Sequence, residues 1–326
     1  MQGEVGAREV YLTFALSRNG RFRIDNSFRI GFAMYPALFE YLKPSSISEA
    51  IALLQQHGED AKLLAGGQSL VPMMKLRIAR PKYLIDIHRI SDLNYIREET
   101  GQIRCGAMIR HEQIEESELI RNKTPMLCEA AGAIGDAQVR NRGTLGGGLV
   151  EADPSGDYGA VVLALNAQMK CISPRGERVI PAADFFTFAY TTALESDEIL
   201  IEIIFPLPDN SSAGVYLKLE RVAGDFAIAS AAVQMALDRN GVCNTIGVGV
   251  TGGGTVPQKA LAVESLLQGK KITSELIDEA GRLIREAAEP IEDMRGSAEY
   301  KKKALGAILR RALRTSLQRA EARKPA

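Results

Sequence analysis

The stretch Ala65-Gly66-Gly67-Gln68-Ser69 is matched later in the chain by a second glycine-rich stretch, Thr144-Leu145-Gly146-Gly147-Gly148. Glycine has no Cβ, so consecutive backbone N–H groups in such a turn can approach a bound anion closely and form a concave site. One turn of this kind suits a phosphate, and two that face each other would hold a pyrophosphate. The pair therefore indicates a dinucleotide cofactor.

The residues around the first turn predict a helix N-terminus at the same place. Residues 61–64 are typical of a short strand entering the turn, and Ser69 is a candidate N-cap for a helix that reaches Leu76. Pro72 falls in the first helical turn, where its missing N–H is tolerated. Because the N-terminal end of a helix is the positive end of its dipole, this position favours an anion.

The composition is that of a globular protein with two or three domains. The 326 residues are 46% hydrophobic and 25% charged, which provides enough apolar material for sizeable cores. Lys plus Arg and Asp plus Glu are both 40, so the formal net charge is zero. Without an excess of positive charge the chain has no general attraction to nucleic acid or to anionic membranes, and we expect neither as a partner.

The cysteines and histidines lack the spacing of a metal site. The four cysteines are Cys105, Cys128, Cys171 and Cys243, and the three histidines are His57, His88 and His111. The cysteines show no paired spacing of the kind that binds zinc or an iron–sulfur cluster, so we predict reduced thiols, no bound metal and a cytoplasmic location. We expect the histidines at the surface or at helix caps.

Residues 1–33 differ from the rest of the chain. Their apolar run, residues 10–16, ends at Ser17 and Arg18, well short of the roughly twenty residues that a membrane span needs. We predict neither a signal peptide nor a membrane anchor here. The segment is instead interpreted as a disordered N-terminal extension or as sequence upstream of a true start at Met34.

From Met34 onwards the pattern predicts regular helices and strands. Ser46 and Glu49 form a capping box for a helix that Gly58 ends, and further helices are predicted over residues 124–134 and 153–165. Strands are predicted over residues 84–87, 102–107, 168–172, 178–181 and 199–205.

Residues 206–212 contain two prolines and several turn-forming residues, which predicts a linker. The chain beyond it reads as a separate α+β unit, with strands over residues 215–220, 227–237 and 242–250 followed by three helices. The last helix, residues 297–319, carries many lysines and arginines. This pattern fits a solvated face on a packed helix better than a nucleic-acid or acidic-partner surface.

Five motifs, taken in order, carry a family resemblance. They are LAGGQSL at residues 64–70, PMMKLR at 72–77, LID at 84–86, RGTLGG at 142–147 and ADPSGD at 152–157. Together they resemble the FAD-binding medium subunit of the molybdenum hydroxylases, a family that includes aerobic carbon monoxide dehydrogenase and bacterial xanthine, aldehyde and aromatic dehydrogenases. The resemblance runs from about Met34 to the end of the chain.

The resemblance implies an α+β architecture in two parts. The first is a two-subdomain FAD-binding fold of the vanillyl-alcohol oxidase type over residues 34–210, with subdomains of about 34–90 and 91–210. The second is a smaller α+β C-terminal domain over residues 213–322.

The resemblance also implies which residues contact FAD. They are Leu64, Ala65, Gly66, Gly67, Gln68, Ser69, Leu70, Val71, Ile134, Thr144, Leu145, Gly146, Gly147, Gly148, Asp157, Leu200, Lys218 and Phe226. The two turns would hold the pyrophosphate, Asp157 would accept hydrogen bonds from ribose hydroxyls, and Lys218 would place a cation near the flavin ring. Ile134 and Leu200 would form apolar walls, and Phe226 would lie close to the isoalloxazine. Without the family resemblance, Lys218 would be interpreted as a surface residue of a strand, and Ile134, Leu200 and Phe226 as core residues.

The chain departs from the family pattern at the second turn. Gly148 stands where the family usually has asparagine, so the side-chain amide that would brace the turn is missing. A lost hydrogen bond of about 1 kcal/mol would change FAD affinity several-fold without abolishing it. Glu151 adds a charge near the same turn, where the family favours small or neutral residues.

The resemblance further implies that the chain works in a complex of three kinds of subunit, each with a different role. A molybdopterin large subunit would oxidise the substrate, a small subunit with two two-iron two-sulfur clusters would relay electrons, and the FAD of this chain would pass them to an external acceptor. The expected assembly is a dimer of such heterotrimers. On this reading the chain itself has no catalytic residues and binds no metal.

Two other readings of the residues stay open at this point. One is a stand-alone flavin oxidase or reductase of the same fold, which would act on its own small substrate. The other is a non-catalytic nucleotide-binding module, which would be colourless. A nicotinamide site of the G-x-G-x-x-G type is disfavoured, because no such fingerprint follows a strand in this chain.

Overall fold

The computed structural model describes residues 35–323, and the extension predicted over residues 1–33 lies outside that range. Within the described chain, helices and strands are mixed in three sheets and one small hairpin, which confirms the α+β class. Three hydrophobic cores follow this division, and each sheet faces at least one of them.

The first part of the chain folds around a small parallel sheet. Its elements are β1 (Glu40–Leu42), α1 (Ile47–His57), β2 (Ala61–Leu64), α2 (Leu70–Lys75) and β3 (Tyr83–Asp86). The strand β3 lies between β1 and β2 and pairs with both in parallel. The first glycine turn connects β2 to α2, so it lies at the carboxyl end of a parallel strand, where ligands commonly bind.

Helix α1 is set by the local signals that predicted it. The Ser46 hydroxyl accepts a hydrogen bond from the Glu49 N–H at 3.2 Å, as an N-cap does. The Glu49 carboxylate returns to the N–H of Ser45 at 2.7 Å, one residue earlier than a capping box requires. Gly58, with a φ of +53°, ends the helix as predicted.

The middle of the chain folds around an antiparallel sheet. Its elements are β4 (Ile96–Glu99), β5 (Gln102–Gly106), α3 (His111–Glu116), α4 (Glu118–Lys123), α5 (Pro125–Gly132), α6 (Ala137–Arg140), α7 (Leu145–Glu151), α8 (Asp157–Ala164), β6 (Gln168–Ser173), β7 (Gly176–Pro181), α9 (Ala182–Phe185), β8 (Phe186–Phe188), β9 (Thr191–Thr192) and β10 (Ile199–Pro206). The strand order is β4-β5-β10-β6-β7, while β8 and β9 form the small hairpin. The central strand β10 is buried on both faces. Ile199 and Ile201 pack into the core of the first part of the chain, beside the parallel sheet, while Leu200 and Ile203 pack into the core of the middle part.

One predicted helix begins later than expected. The sequence predicted a start at Asp153-Pro154, but α8 begins at Asp157 with Gly156 as its N-cap residue. The Asp153 carboxylate accepts a hydrogen bond from the N–H of Ser155 at 2.8 Å, which forms a local turn in place of a helix cap. The carbonyl of Ser155 in this turn accepts a hydrogen bond from the N–H of Ala227.

The C-terminal part consists of one sheet and three helices. Its elements are β11 (Ser212–Leu219), β12 (Ala229–Leu237), β13 (Cys243–Thr251), β14 (Gln258–Lys259), α10 (Leu261–Leu267), α11 (Ser274–Ala287) and α12 (Ala298–Glu321). The strands pair in order and antiparallel. The predicted strands and helices are confirmed with shifts of a few residues at their ends.

This sheet also packs against the middle part of the chain. Helix α8 lies on β12 and β13, and α12 lies on β11 and β12. The approach of α8 is close because β13 carries Gly247 and Gly249. A Cβ on Gly247 would overlap the carbonyl oxygen of Ala164, and one on Gly249 would overlap that of Ala160. The two glycines therefore let helix α8 and its first residue, Asp157, lie directly against the C-terminal sheet.

The basic residues of α12 are largely paired within the protein. Lys303 pairs with Glu299 on the same helix, Arg310 and Arg314 lie beside Asp278, and Arg319 reaches Glu129 at 2.7 Å. This agrees with the interpretation of a solvated face on a packed helix. In the described range, no helix is both long enough and apolar enough to span a membrane.

Candidate functional site: two facing glycine turns

The two glycine-rich turns lie against each other. A Cβ placed on Gly66 would overlap the carbonyl oxygen of Arg142 and lie 2.6 Å from the Cα of Gly143. A Cβ placed on Gly147 would lie 3.6 Å from the Cβ of Ala65. Absence of a side chain at residue 66 is therefore what allows the first turn to touch the second.

The first turn offers a run of unpaired backbone donors. The N–H groups of five consecutive residues have no hydrogen-bond partner among residues 35–323: Gly66, Gly67, Gln68, Ser69 and Leu70. Gly67 has a φ of +74°, a conformation that favours glycine. Successive N–H groups of this kind form a concave anion site, which suits a pyrophosphate.

The predicted N-cap role of Ser69 is wrong. Ser69 already has a helical backbone, with φ −101° and ψ −52°, and its side chain makes no capping hydrogen bond. An N-cap residue normally has an extended backbone so that its oxygen can reach back to the N–H two or three residues later. Here the N–H of Val71 already donates to Gly67 O, and Pro72 has no N–H, so the Ser69 side chain finds no donor to cap.

The second turn, which was also expected to contact the pyrophosphate, is built differently from the first. Its N–H groups are used within the protein: Leu145 donates to Ile109 O, Gly146 to Ala107 O, Gly147 to Thr144 Oγ1 and Gly148 to Thr144 O. Gly146 is needed for packing, since a Cβ there would lie 2.7 Å from the oxygen of Ala107. In this turn the N–H of Thr144 is the one without a partner among residues 35–323.

His111 contacts the second turn and is buried, so the prediction that it lies at the surface or at a helix cap is wrong. Its N–H donates to Gly143 O at 3.1 Å, and its Nδ1 lies 3.0 Å from the hydroxyl of Tyr158. The side chain is buried, and burial together with the nearby Arg140 lowers the pKa of His111 to about 4. The imidazole is therefore neutral near pH 7 and can form a hydrogen bond with Tyr158 without a buried charge.

Gly143 makes this support possible, because a Cβ there would lie 2.6 Å from His111 Nε2. Sequence reasoning missed both His111 and Tyr158 as parts of the site. The sequence offered one weak signal, since Tyr158 directly follows the Asp157 of a family motif.

Asp157 and Lys218 form a buried ion pair. The ammonium of Lys218 lies 3.1 Å from Asp157 Oδ1 and 3.0 Å from Glu220 Oε2, and it donates to Ala133 O at 2.6 Å. The hydroxyl of Tyr216 donates to Asp157 Oδ1 at 2.5 Å. The side chains of Lys218 and Asp157 are only 4% and 6% exposed, so this cluster joins α8, β11 and residue 133 away from solvent.

These contacts show how the two residues are held in the described structure. All three N–H donors of Lys218 have partners, and two carboxylates lie beside its charge. Burial raises the pKa of Asp157 to about 6, although Lys218 and Tyr216 oppose the shift. Asp157 Oδ1 already accepts two hydrogen bonds inside the protein.

The three apolar candidates occupy different environments. Ile134 is half-buried and follows Ala133, the residue whose carbonyl binds Lys218. Leu200 is 4% exposed and belongs to the hydrophobic core of the middle part of the chain. Phe226 is 40% exposed and lies beside the guanidinium of Arg295.

Gly148 has room for the asparagine of the family pattern. A Cβ there would lie 3.5 Å from Tyr158 Cδ2, an ordinary contact, and residue 148 is exposed. The neighbouring Glu151 is half-buried, and burial followed by the charge of Asp153 raises its pKa. The residues around position 148 therefore tolerate a short polar side chain.

We predict that Gly148→Asn increases FAD affinity about two- to tenfold, because the new amide adds about one net hydrogen bond to the turn. Fluorescence titration of the apoprotein with FAD measures the change. Gly147→Asn is the matched control and should weaken binding, since its Cβ would lie 2.7 Å from Thr144 Oγ1 and displace the cap of α7. Weaker FAD binding by Gly148→Asn would show that this turn is built differently from that of the family, and an unchanged affinity would show that residue 148 does not brace the cofactor site.

Among residues 35–323, no group of three or more His, Cys, Asp or Glu side chains is placed to hold a metal ion. A strand-to-helix turn whose five N–H groups have no partner among residues 35–323, in contact with a second glycine turn, is the kind of anion site that suits the pyrophosphate of a dinucleotide.

Comparison with known proteins identifies that dinucleotide. Residues 37–208 match the family model for the FAD binding domain in molybdopterin dehydrogenase, and residues 214–316 match that for the CO dehydrogenase flavoprotein C-terminal domain. The carbon monoxide dehydrogenase medium chain of Hydrogenophaga pseudoflava is 42% identical, over 88% of this chain and 99% of the relative. The glyceraldehyde dehydrogenase medium chain of Sulfolobus acidocaldarius is 35% identical, over 86% and 99%.

A solved structure agrees with these sequence matches. The carbon monoxide dehydrogenase of Hydrogenophaga pseudoflava that lacks the Mo-pyranopterin moiety superposes with a TM-score of 0.86 at 42% identity, over 87% of this chain and 99% of the solved chain. This chain belongs to the FAD-binding medium subunits of the molybdopterin dehydrogenases, and it is an oxidoreductase subunit whose cofactor is FAD.

Proposed function

We propose that the chain is the electron-transfer subunit of a molybdenum hydroxylase. The single observation that carries the proposal is the run of five free N–H groups at residues 66–70, placed against the second turn in a chain that matches FAD-binding medium subunits. When bound, FAD would take electrons from iron–sulfur clusters of a small subunit and pass them in pairs to an external acceptor.

The residues present fit an FAD held by its pyrophosphate. The first turn would bind the pyrophosphate oxygens through its backbone N–H groups, with Leu64 and Val71 flanking it and Thr144 contributing one further N–H. The ion pair of Asp157 and Lys218 would hold residues 133–134 beside the ring-binding part of the site. Phe226 would cover part of that region with its exposed ring.

The partners follow from the same family membership. We infer a small subunit with two two-iron two-sulfur clusters, a large molybdopterin subunit and a dimer of such heterotrimers in the cytoplasm. The substrate would be selected by the large subunit and would be carbon monoxide, an aldehyde, a purine or another aromatic compound. The relatives named above, which are medium chains of a carbon monoxide and a glyceraldehyde dehydrogenase, support part of this range.

We predict that the purified chain carries FAD noncovalently at a ratio near 1:1, because one pyrophosphate cradle is present and the proposed contacts are hydrogen bonds and packing. Acid precipitation should release all of the yellow chromophore into the supernatant, where absorbance measures the FAD-to-protein ratio. Colour that stays with the protein pellet would mean covalent attachment and favour a stand-alone flavin oxidase. A colourless chain that does not take up added FAD would contradict the proposal.

A further inference from the structure

The loop between β11 and β12 crosses the FAD-binding part of the chain. Gly224 has a φ of +82°, and a Cβ there would lie 2.5 Å from the carbonyl oxygen of Gly135. The N–H of Ala227 donates to Ser155 O at 3.3 Å. The loop is thus fixed on both sides of Phe226, which is 40% exposed.

A second loop, residues 288–297, brings Arg295 to the same place. Its conformation is set by Asp293, which accepts a hydrogen bond from the N–H of Arg295 at 2.8 Å and pairs with Lys301 at 2.8 Å. Lys301 is nearly buried and also donates to Ile291 O at 2.7 Å. The loop is therefore anchored to α12, and it holds Arg295 in a defined position.

Arg295 contacts the first loop in two ways. Its guanidinium carbon lies 5.4 Å from the centre of the Phe226 ring, within the range of a cation–π contact. Its Nε lies 3.6 Å from Asp225 Oδ1, while its Nη1 lies 3.5 Å from Asp293 Oδ2. The side chain is 21% exposed, so the guanidinium is partly desolvated between the two loops.

We propose that Arg295 is a positioning residue that holds the ring of Phe226 over the flavin-binding part of the site. The inference rests on the proposed function, because it takes the bound FAD to lie beneath Phe226. Both residues belong to the C-terminal part of the chain, Phe226 in the loop between β11 and β12 and Arg295 in the loop before α12, so this contact makes flavin exposure depend on how these two loops pack. Arg295 itself does not touch the cofactor.

The test uses the full FAD-loaded chain and acrylamide, a neutral quencher of flavin fluorescence that is insensitive to the lost charge. Arg295→Met removes the guanidinium with little change in length, and Phe226→Leu removes the ring. Arg295→Lys keeps the charge but loses the planar group. Arg282→Met is the matched control, because within residues 35–323 Arg282 pairs only with Glu279 and Glu286 of its own helix.

We expect Arg295→Met to raise the acrylamide quenching constant of bound FAD about two- to fivefold, the factor that corresponds to an exposed cation–π contact. Phe226→Leu should raise it at least as much, the double variant should match Phe226→Leu, and Arg295→Lys should lie between wild type and Arg295→Met. Arg282→Met should behave as wild type. The Arg295 variants and Arg282→Met should retain FAD near 1:1.

A quenching constant for Arg295→Met equal to that of wild type would overturn the proposal, as would additive effects in the double variant. Loss of FAD from both Arg295→Met and Arg295→Lys, but not from Phe226→Leu, would also overturn it, since Arg295 would then be a direct ligand of the cofactor. A wild-type chain that binds no FAD would instead contradict the proposed function.

Discussion

A chain with valine in place of Gly67 should purify folded but without FAD. The φ of +74° at residue 67 aligns the free N–H groups of the first turn, and a β-branched residue strongly disfavours that conformation. A turn that relaxes from it loses two or more hydrogen bonds to the pyrophosphate, each about 1.5–3 kcal/mol when the acceptor is charged. We expect a loss of about 3 kcal/mol or more, at least a hundredfold in Kd.

Gly101 provides a closely matched control for this variant. It also has a φ of +74°, and a Cβ there would meet nothing within 4 Å. Gly101→Val therefore carries the same backbone strain at a hairpin outside the site. The FAD-to-protein ratio after gel filtration and the Kd from fluorescence titration should change only in Gly67→Val, while circular dichroism checks the fold of both. Full FAD content in Gly67→Val would remove the pyrophosphate assignment of the first turn.

Replacement of Lys218 by methionine should destabilise the protein by about 3–5 kcal/mol, because it leaves the buried carboxylate of Asp157 without its cation. Denaturant unfolding of the apoprotein measures the change. Lys303→Met is a suitable control, since the Lys303–Glu299 pair is more than half exposed and should contribute less than about 1 kcal/mol.

The loss of stability caused by Lys218→Met should depend on pH, because Asp157 titrates in the folded chain. The pKa of Asp157 is about 6 in the folded chain and 3.8 when unperturbed, so the folded state already binds more protons between these values. Removal of Lys218 raises the folded pKa further, and the destabilisation should therefore be largest above pH 7 and shrink as the pH falls through 6 towards 5. Asp157→Asn combined with Lys218→Met should recover much of the stability. A loss that is the same at pH 5 and pH 8 would contradict the ion-pair account.

Features encoded by short stretches of sequence were predictable. The N-cap at Ser46, the helix end at Gly58 and the strands of the C-terminal sheet follow from local signals that tertiary contacts did not override. The start of α8 was not predictable in this way, because Asp153 is an equally good residue for a local turn and for a helix cap.

The site itself was predictable only in part. The motif at residues 65–69 indicates an anion cradle, and the free N–H groups of the first turn agree with it. The motif at residues 144–148 looks similar, yet its glycines serve to admit the backbone of Ala107 and the cap of Thr144. Sequence alone does not show whether a glycine is needed for a ligand or for a neighbouring strand.

Contacts between residues far apart in the sequence could not be predicted from local sequence patterns. Asp157 meets Lys218 because α8 packs on the C-terminal sheet through Gly247 and Gly249, a contact that no spacing along the chain reveals. His111 is buried for a similar reason, since its environment is completed by Tyr158 on another helix. In both cases the charge or polarity of one residue is balanced by a partner that only the fold supplies.

The most direct test of an electron-transfer role follows the visible absorbance of the bound flavin under anaerobic conditions. Carbon monoxide, aldehydes, purines and aromatic heterocycles should leave the flavin of the isolated chain oxidised, although dithionite should reduce it and artificial acceptors should reoxidise it. After addition of the iron–sulfur and molybdopterin subunits, one of these substrates should reduce the flavin. Reduction by a substrate in the isolated chain would contradict the account and favour a stand-alone flavoenzyme.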